Sequence, residues 1–87
     1  MSDLWYTIKA DKVPLDFMMA LSKFEEQYAK FKQLFEQISN IMEVGDDNYV
    51  PELLPWLFRL AIKAEKVEAV KNTAFDYGFT VTPYTAE

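Results

Sequence analysis

Cysteine and histidine are both absent from this chain of 87 residues, glycine occurs twice, and arginine occurs once, at Arg59. Each absence closes a class of function. Without cysteine there is neither a disulfide framework nor a thiolate metal site. Without histidine as well, the commonest general base is missing along with the strongest common nucleophile, and Ser2, Ser22 and Ser39 have no activating partner in the pattern. The chain is therefore expected not to be an enzyme. Gly45 and Gly78 both fall where helices should stop, which leaves no glycine-rich loop to cradle a phosphate and no cofactor to expect. Bases are outnumbered by acids, 9 against 14, so direct nucleic-acid binding, which needs phosphate neutralisation, is not expected. Asp46, Asp47, Asn48 and Glu52 are hard oxygen donors but lack the alternating spacing and bidentate Glu of a calcium loop, and no metal site is expected. No run approaches 18 continuous apolar residues, and Met1-Ser2-Asp3-Leu4-Trp5 lacks a basic segment followed by an apolar one. The expectation is a cytoplasmic protein with no membrane partner.

What is present is apolar and periodic. Hydrophobic residues make up 51% and aromatics 16% of the chain, which argues for a folded single domain over residues 1–87. Phe17, Leu21, Phe24, Tyr28, Phe31, Phe35, Ile38 and Met42 follow one another at spacings of 4-3-4-3-4-3-4 with no polar member. That spacing predicts one long helix over about 14–43, with Pro14 at its first position and Asp16 in its first turn. Ser22, Lys23, Glu26, Lys30, Gln33, Gln37 and Asn40 form its solvent face. Ahead of it, Leu4-Trp5-Tyr6-Thr7-Ile8-Lys9 alternates at period two and predicts a strand.

Gly45 is expected to end this helix as a left-handed C′ residue, with a turn at Asp46-Asp47-Asn48. A second helix is then expected from Pro51 and Glu52 to Tyr77, on a seam of Leu53, Leu57, Leu60, Ala64, Val67 and Ala74 interrupted at Lys71. Gly78 stops it, and Phe79-Thr80-Val81-Thr82 reads as a second strand that Pro83 confines to an edge. The fold class that follows is α+β, dominated by helix. Its order is β-α-α-β: a long antiparallel helical hairpin, with a two-stranded antiparallel ribbon formed by the termini.

Two surfaces on that fold are candidates for recognition. No base stands between Lys32 and Arg59, while Glu36, Glu43, Asp46, Asp47 and Glu52 all do, so the net charge of −5 is concentrated in one segment with Tyr49 in its middle. At the tip of a hairpin, Glu43, Asp46, Asp47, Tyr49 and Glu52 could steer the chain to a partner protein with a basic cleft. The second candidate is an extra apolar stripe on the second helix, Leu54, Phe58 and Ile62 with Trp56 beside it. The ribbon could cover that stripe, or it could form a homodimer or partner interface. In size, acidity and lack of catalytic residues the chain resembles the small inhibitors that phages and plasmids use against host enzymes or defence complexes, anti-CRISPR proteins among them. That resemblance is one of profile and rests on no motif. It implies a non-enzymatic protein that acts by occupying a partner surface; the alternative is a structural or assembly adaptor working as a homo-oligomer.

Overall fold

The structure, a computed structural model, describes residues 4–13 and 17–84, with side chains described throughout except at 17–20 and 22. Strand β1 (Leu4–Ala10) leads to helix α1 (Phe17–Ile41), strands β2 (Tyr49–Leu53) and β3 (Leu57–Ile62), helix α2 (Ala64–Asp76) and strand β4 (Phe79–Pro83). The expected placements of Pro14 and Asp16 lie outside the described residues. The four strands form one antiparallel sheet in the order β2-β3-β1-β4. This order is that of the ferredoxin-like, split β-α-β arrangement, with both helices on one face.

The class is α+β with two helices, and the β-α-α-β hairpin is corrected. Residues 49–62, expected at the head of a long second helix, form a β-hairpin instead. Pro51 and Pro55 explain why. Pro51 could open a helix, but Pro55 four residues on has no N–H to give the Pro51 carbonyl and its ring clashes with that carbonyl. As a strand, β2 sits at the sheet edge, where Pro51 is tolerated. A spacing of four is even, so Phe58 and Ile62 share a side on a strand as they would on a helix. Leu60 joins them there. All three side chains are fully buried. The two terminal strands do pair, from Tyr6 opposite Pro83 to Ala10 opposite Phe79, but within a sheet of four.

The core lies between the helices and the sheet. Ile8 and Ala10 of β1, Phe58, Leu60 and Ile62 of β3, and Phe79 and Val81 of β4 face Phe31, Leu34 and Ile38 of α1 and Val70 and Ala74 of α2. The helix seam contributes unevenly. Its C-terminal half is buried or half-buried from Phe31 to Met42, and Leu34, outside the seam, is buried with it. Leu21, Phe24 and Tyr28 in its N-terminal half remain 59%, 43% and 42% exposed.

The two glycines part company. Gly78, at φ 79°, stops α2 as expected, its amide donating to the Phe75 carbonyl at 3.1 Å. Gly45 is not left-handed, and α1 ends earlier, at Ile41. The loop is held instead by Asn48, whose Oδ1 accepts from the Gly45 amide at 2.7 Å and whose Nδ2 donates to the Glu43 carbonyl at 2.9 Å.

Candidate functional site

With both helices on one side, no layer covers the other face of the sheet among the described residues. Alternation places Trp5, Thr7 and Lys9 of β1 there, opposite in register to Ala61, Arg59 and Leu57 of β3. Thr82 and Thr80 of β4 flank Thr7 and Lys9 from the other edge, and Val50 of β2 is opposite Arg59. Tyr84 extends the pattern just past β4, its amide donating to the Trp5 carbonyl at 2.9 Å.

Arg59 organises this face. Its guanidinium forms an ion pair with Glu52 of β2. It also lies over the Tyr84 ring, 4.4 Å from the ring centre. Since β1 runs between β3 and β4, the side chain reaches across Thr7, and the row Glu52, Arg59, Thr7, Tyr84 runs from β2 across β3 and β1 to the residue just past β4. A shallow depression of about 280 Å3 lies along it, lined by these four residues and Leu57. The row is preorganised: a planar guanidinium held at one edge by a carboxylate and covered on its face by a ring retains little freedom to lose on binding.

The acidic loop borders the sheet where β2 begins, since the Asn48 carbonyl accepts from the Ala61 amide at 2.9 Å and so extends the hairpin ladder. Glu43, Asp46 and Asp47 are exposed there, and none is ion-paired among the described residues. A second depression, about 310 Å3, is lined by Met42, Glu43, Asn48, Lys63 and Lys66. The loop therefore faces two lysines of its own chain at the start of α2.

The residues expected to recognise a partner are thus dispersed. Glu43, Asp46 and Asp47 remain together on the loop. Glu52 is on the sheet, engaged with Arg59. Tyr49 is half-buried, its ring 5.3 Å from that of Phe35 and 5.8 Å from that of Phe58. Burial pushes the Tyr49 phenol above its ordinary pKa, with the nearby Tyr28 adding to the shift. The apolar stripe is not a helix face: Phe58 and Ile62 point into the core, Trp56 is 6% exposed in the β2–β3 turn, and Leu54 beside it is half-buried. A strand in the middle of a sheet buries what a second helix would have displayed. Arg59, Thr7, Trp5 and Tyr84 were not anticipated. Trp5 and Thr7 alternate with the inward residues of β1, and that alternation is the one sequence signal for them.

Among the described residues no helix is long and apolar enough to cross a membrane. Nor do three or more Asp or Glu side chains gather there as a metal site. Compared with protein-family models, curated proteins and solved structures, the chain matches none. The fold alone does not carry a function.

Proposed function

We propose that this chain is a non-enzymatic protein-binding module that acts by occupying a surface on another protein, and that the uncovered sheet face is the surface it uses. The observation that carries this reading is the row Glu52, Arg59, Thr7, Tyr84, ordered across the sheet from β2 to the residue just past β4, on the face without a helical layer among the described residues. Aromatic and arginine side chains in fixed positions are the residues on which interfaces most depend. A partner that is a nucleic acid fits this face poorly, because Arg59, the one arginine of the chain, is already neutralised by Glu52.

Glu43, Asp46 and Asp47 supply the second element. Unpaired carboxylates on an exposed loop raise the encounter rate with a basic surface more than they raise affinity. Small size, net negative charge and the lack of histidine and cysteine support the narrower reading of an inhibitor of phage or plasmid type, directed at a basic cleft of a host or defence protein.

The test is capture from the source cell with immobilised protein, comparing Thr7→Lys, the loop triple Glu43→Gln, Asp46→Asn, Asp47→Asn, and Phe75→Ser. Phe75 is 75% exposed on α2, on the helical side. Loss of the partner with Thr7→Lys, slower association with flattened salt dependence in the triple, and full capture by Phe75→Ser are expected. Capture retained by Thr7→Lys and lost with Phe75→Ser would move the surface to the helices.

A further inference from the structure

The apolar stripe of α1 changes width along the helix. In heptad terms Leu21, Tyr28, Phe35 and Met42 take position a, and Phe24, Phe31 and Ile38 take position d. In the C-terminal half position g is also apolar, at Leu34 and Ile41, and this wide stripe covers the sheet. Over residues 21–30 position g is Gln27, whose Nε2 reaches the Pro55 carbonyl at 3.4 Å, and the large apolar residues fall at a and d alone. A wide stripe suits a helix lying on a sheet; a strict a/d stripe is the seam of a two-stranded coiled coil. The narrow part is also the more exposed part, at Leu21, Phe24 and Tyr28, with the Phe24 ring meeting Trp56 of the β2–β3 turn edge-on at 6.1 Å.

We propose that the N-terminal half of α1 pairs antiparallel with the same segment of a second copy of this chain, through Leu21, Phe24 and Tyr28. The inference is independent of the reading of the sheet face. Three observations select a second copy. A strict a/d stripe is complementary to another such stripe, and among the described residues α1 is the helix that carries one. Charge permits the pairing: over residues 21–32, Lys23, Lys30 and Lys32 stand against Glu25 and Glu26, so two copies meet at their nearly neutral segment and keep the acidic loops apart.

Area supplies the third. Two aromatic side chains about two-fifths exposed and a leucine about three-fifths exposed offer roughly 250–300 Å2 of apolar surface per copy. With about 60% of an interface apolar, two such patches correspond to roughly 830–1,000 Å2 in total, reaching the floor for a specific contact at the upper end. The pair is accordingly weak and concentration-dependent. Association through the strands is disfavoured, because both edge strands, β2 and β4, contain proline, at Pro51 and Pro83. The antiparallel sense follows from the body of the protein. The C-terminal half of α1 is occupied by its own sheet, and only an antiparallel partner carries its sheet to the opposite end.

Sedimentation equilibrium over roughly 5–500 μM is expected to pass from monomer to dimer. Leu21→Glu, at the most exposed seam position, is expected to remain monomeric throughout with an unchanged far-UV spectrum and melt. In the antiparallel pair position a of one copy faces position d of the other. Since the chain has no cysteine of its own, a Leu21→Cys copy mixed with a Phe24→Cys copy is expected to oxidise mainly to the mixed disulfide. A monomer at every concentration assigns the seam to a different protein and overturns the proposal. So does a dimer that survives Leu21→Glu, or a predominance of either homodisulfide, which marks a parallel pair.

Discussion

The Arg59 guanidinium lies 4.4 Å from the centre of the Tyr84 ring, although the strand β1 separates the strands from which the two side chains project. The contact ties the last described residue of the chain to the middle of the sheet. Cation–π pairs are worth about 0.5–2 kcal/mol depending on how far they are shielded from water. In a double-mutant cycle on Arg59→Met and Tyr84→Ala, read by urea unfolding, the coupling is expected at about 1 kcal/mol, a value typical of residues in direct contact. Additive single effects would show that the ring merely rests there.

The two halves of the α1 seam should respond differently to truncation. Leu34 is fully buried, and Leu34→Ala is expected to cost about 2–5 kcal/mol. Leu21→Ala, at 59% exposure, should stay within about 0.5 kcal/mol. In thermal melts this separates a loss of at least roughly 10 °C from a shift of a few degrees. Equal shifts would place the two leucines in equivalent surroundings, against the burial described.

Gly78→Ala and Gly45→Ala form a second contrast. Nothing lies within 4 Å of a Cβ at Gly78, so its cost is purely that of φ 79°, about 1–2 kcal/mol for an L side chain. At Gly45 the backbone is not left-handed and a Cβ would meet Asp47 Oδ1 at an ordinary 3.4 Å. Gly45→Ala is expected to be neutral or slightly stabilising, by up to about 1 kcal/mol, through the unfolded chain. Denaturant midpoints measured side by side decide it.

Tyr49 introduces a pH dependence of defined sign. Its phenol has a raised pKa in the folded protein, mainly through burial, so the unfolded chain ionises first as pH increases. Stability from this group is full below the ordinary tyrosine range near pH 10 and is lost as pH climbs through the higher folded value. Against Tyr49→Phe, the wild-type melting temperature should hold a constant offset up to about pH 9.5 and then fall more steeply. Parallel curves to pH 11.5 would assign the alkaline loss to other tyrosines and lysines.

The parts of the fold legible in the sequence are those where one period excludes the other. Leu4 to Lys9 alternates, and 4-3 spacing over α1 fits no strand. Gly78 followed by Phe79-Thr80-Val81-Thr82 marks a helix stop and a strand in succession. Residues 49–62 are ambiguous because four-residue spacing keeps side chains on one side in either structure. Pro51 and Pro55, four apart, held the decisive signal against a helix, and the order β2-β3-β1-β4 could be reached only once that segment became two strands.

The candidate site was legible only as charges. Glu43, Asp46 and Asp47 stand out in composition and do sit together on a loop. The engagement of Glu52 by Arg59 depends on a hairpin register with an irregularity between Pro51 and Leu53, which no spacing rule supplies. Which face of β1 is left bare depends on where the helices cross, a property of topology rather than of residues 4–10.

Because β1 is an inner strand flanked by β3 and β4, one of its two neighbours is the last of the four strands to be synthesised. The Thr80 hydroxyl donates to Asp11 Oδ1 at 2.8 Å across 69 residues of chain. At about 5–20 residues per second the ribosome takes roughly 3–14 s to produce the intervening segment. Through that interval Ile8 and Ala10 lack the strand that flanks them on one side. The finished sheet therefore waits on residues 79–83, and a chain that stalled before Phe79 would present the unpaired side of β1 to whatever stands beside it.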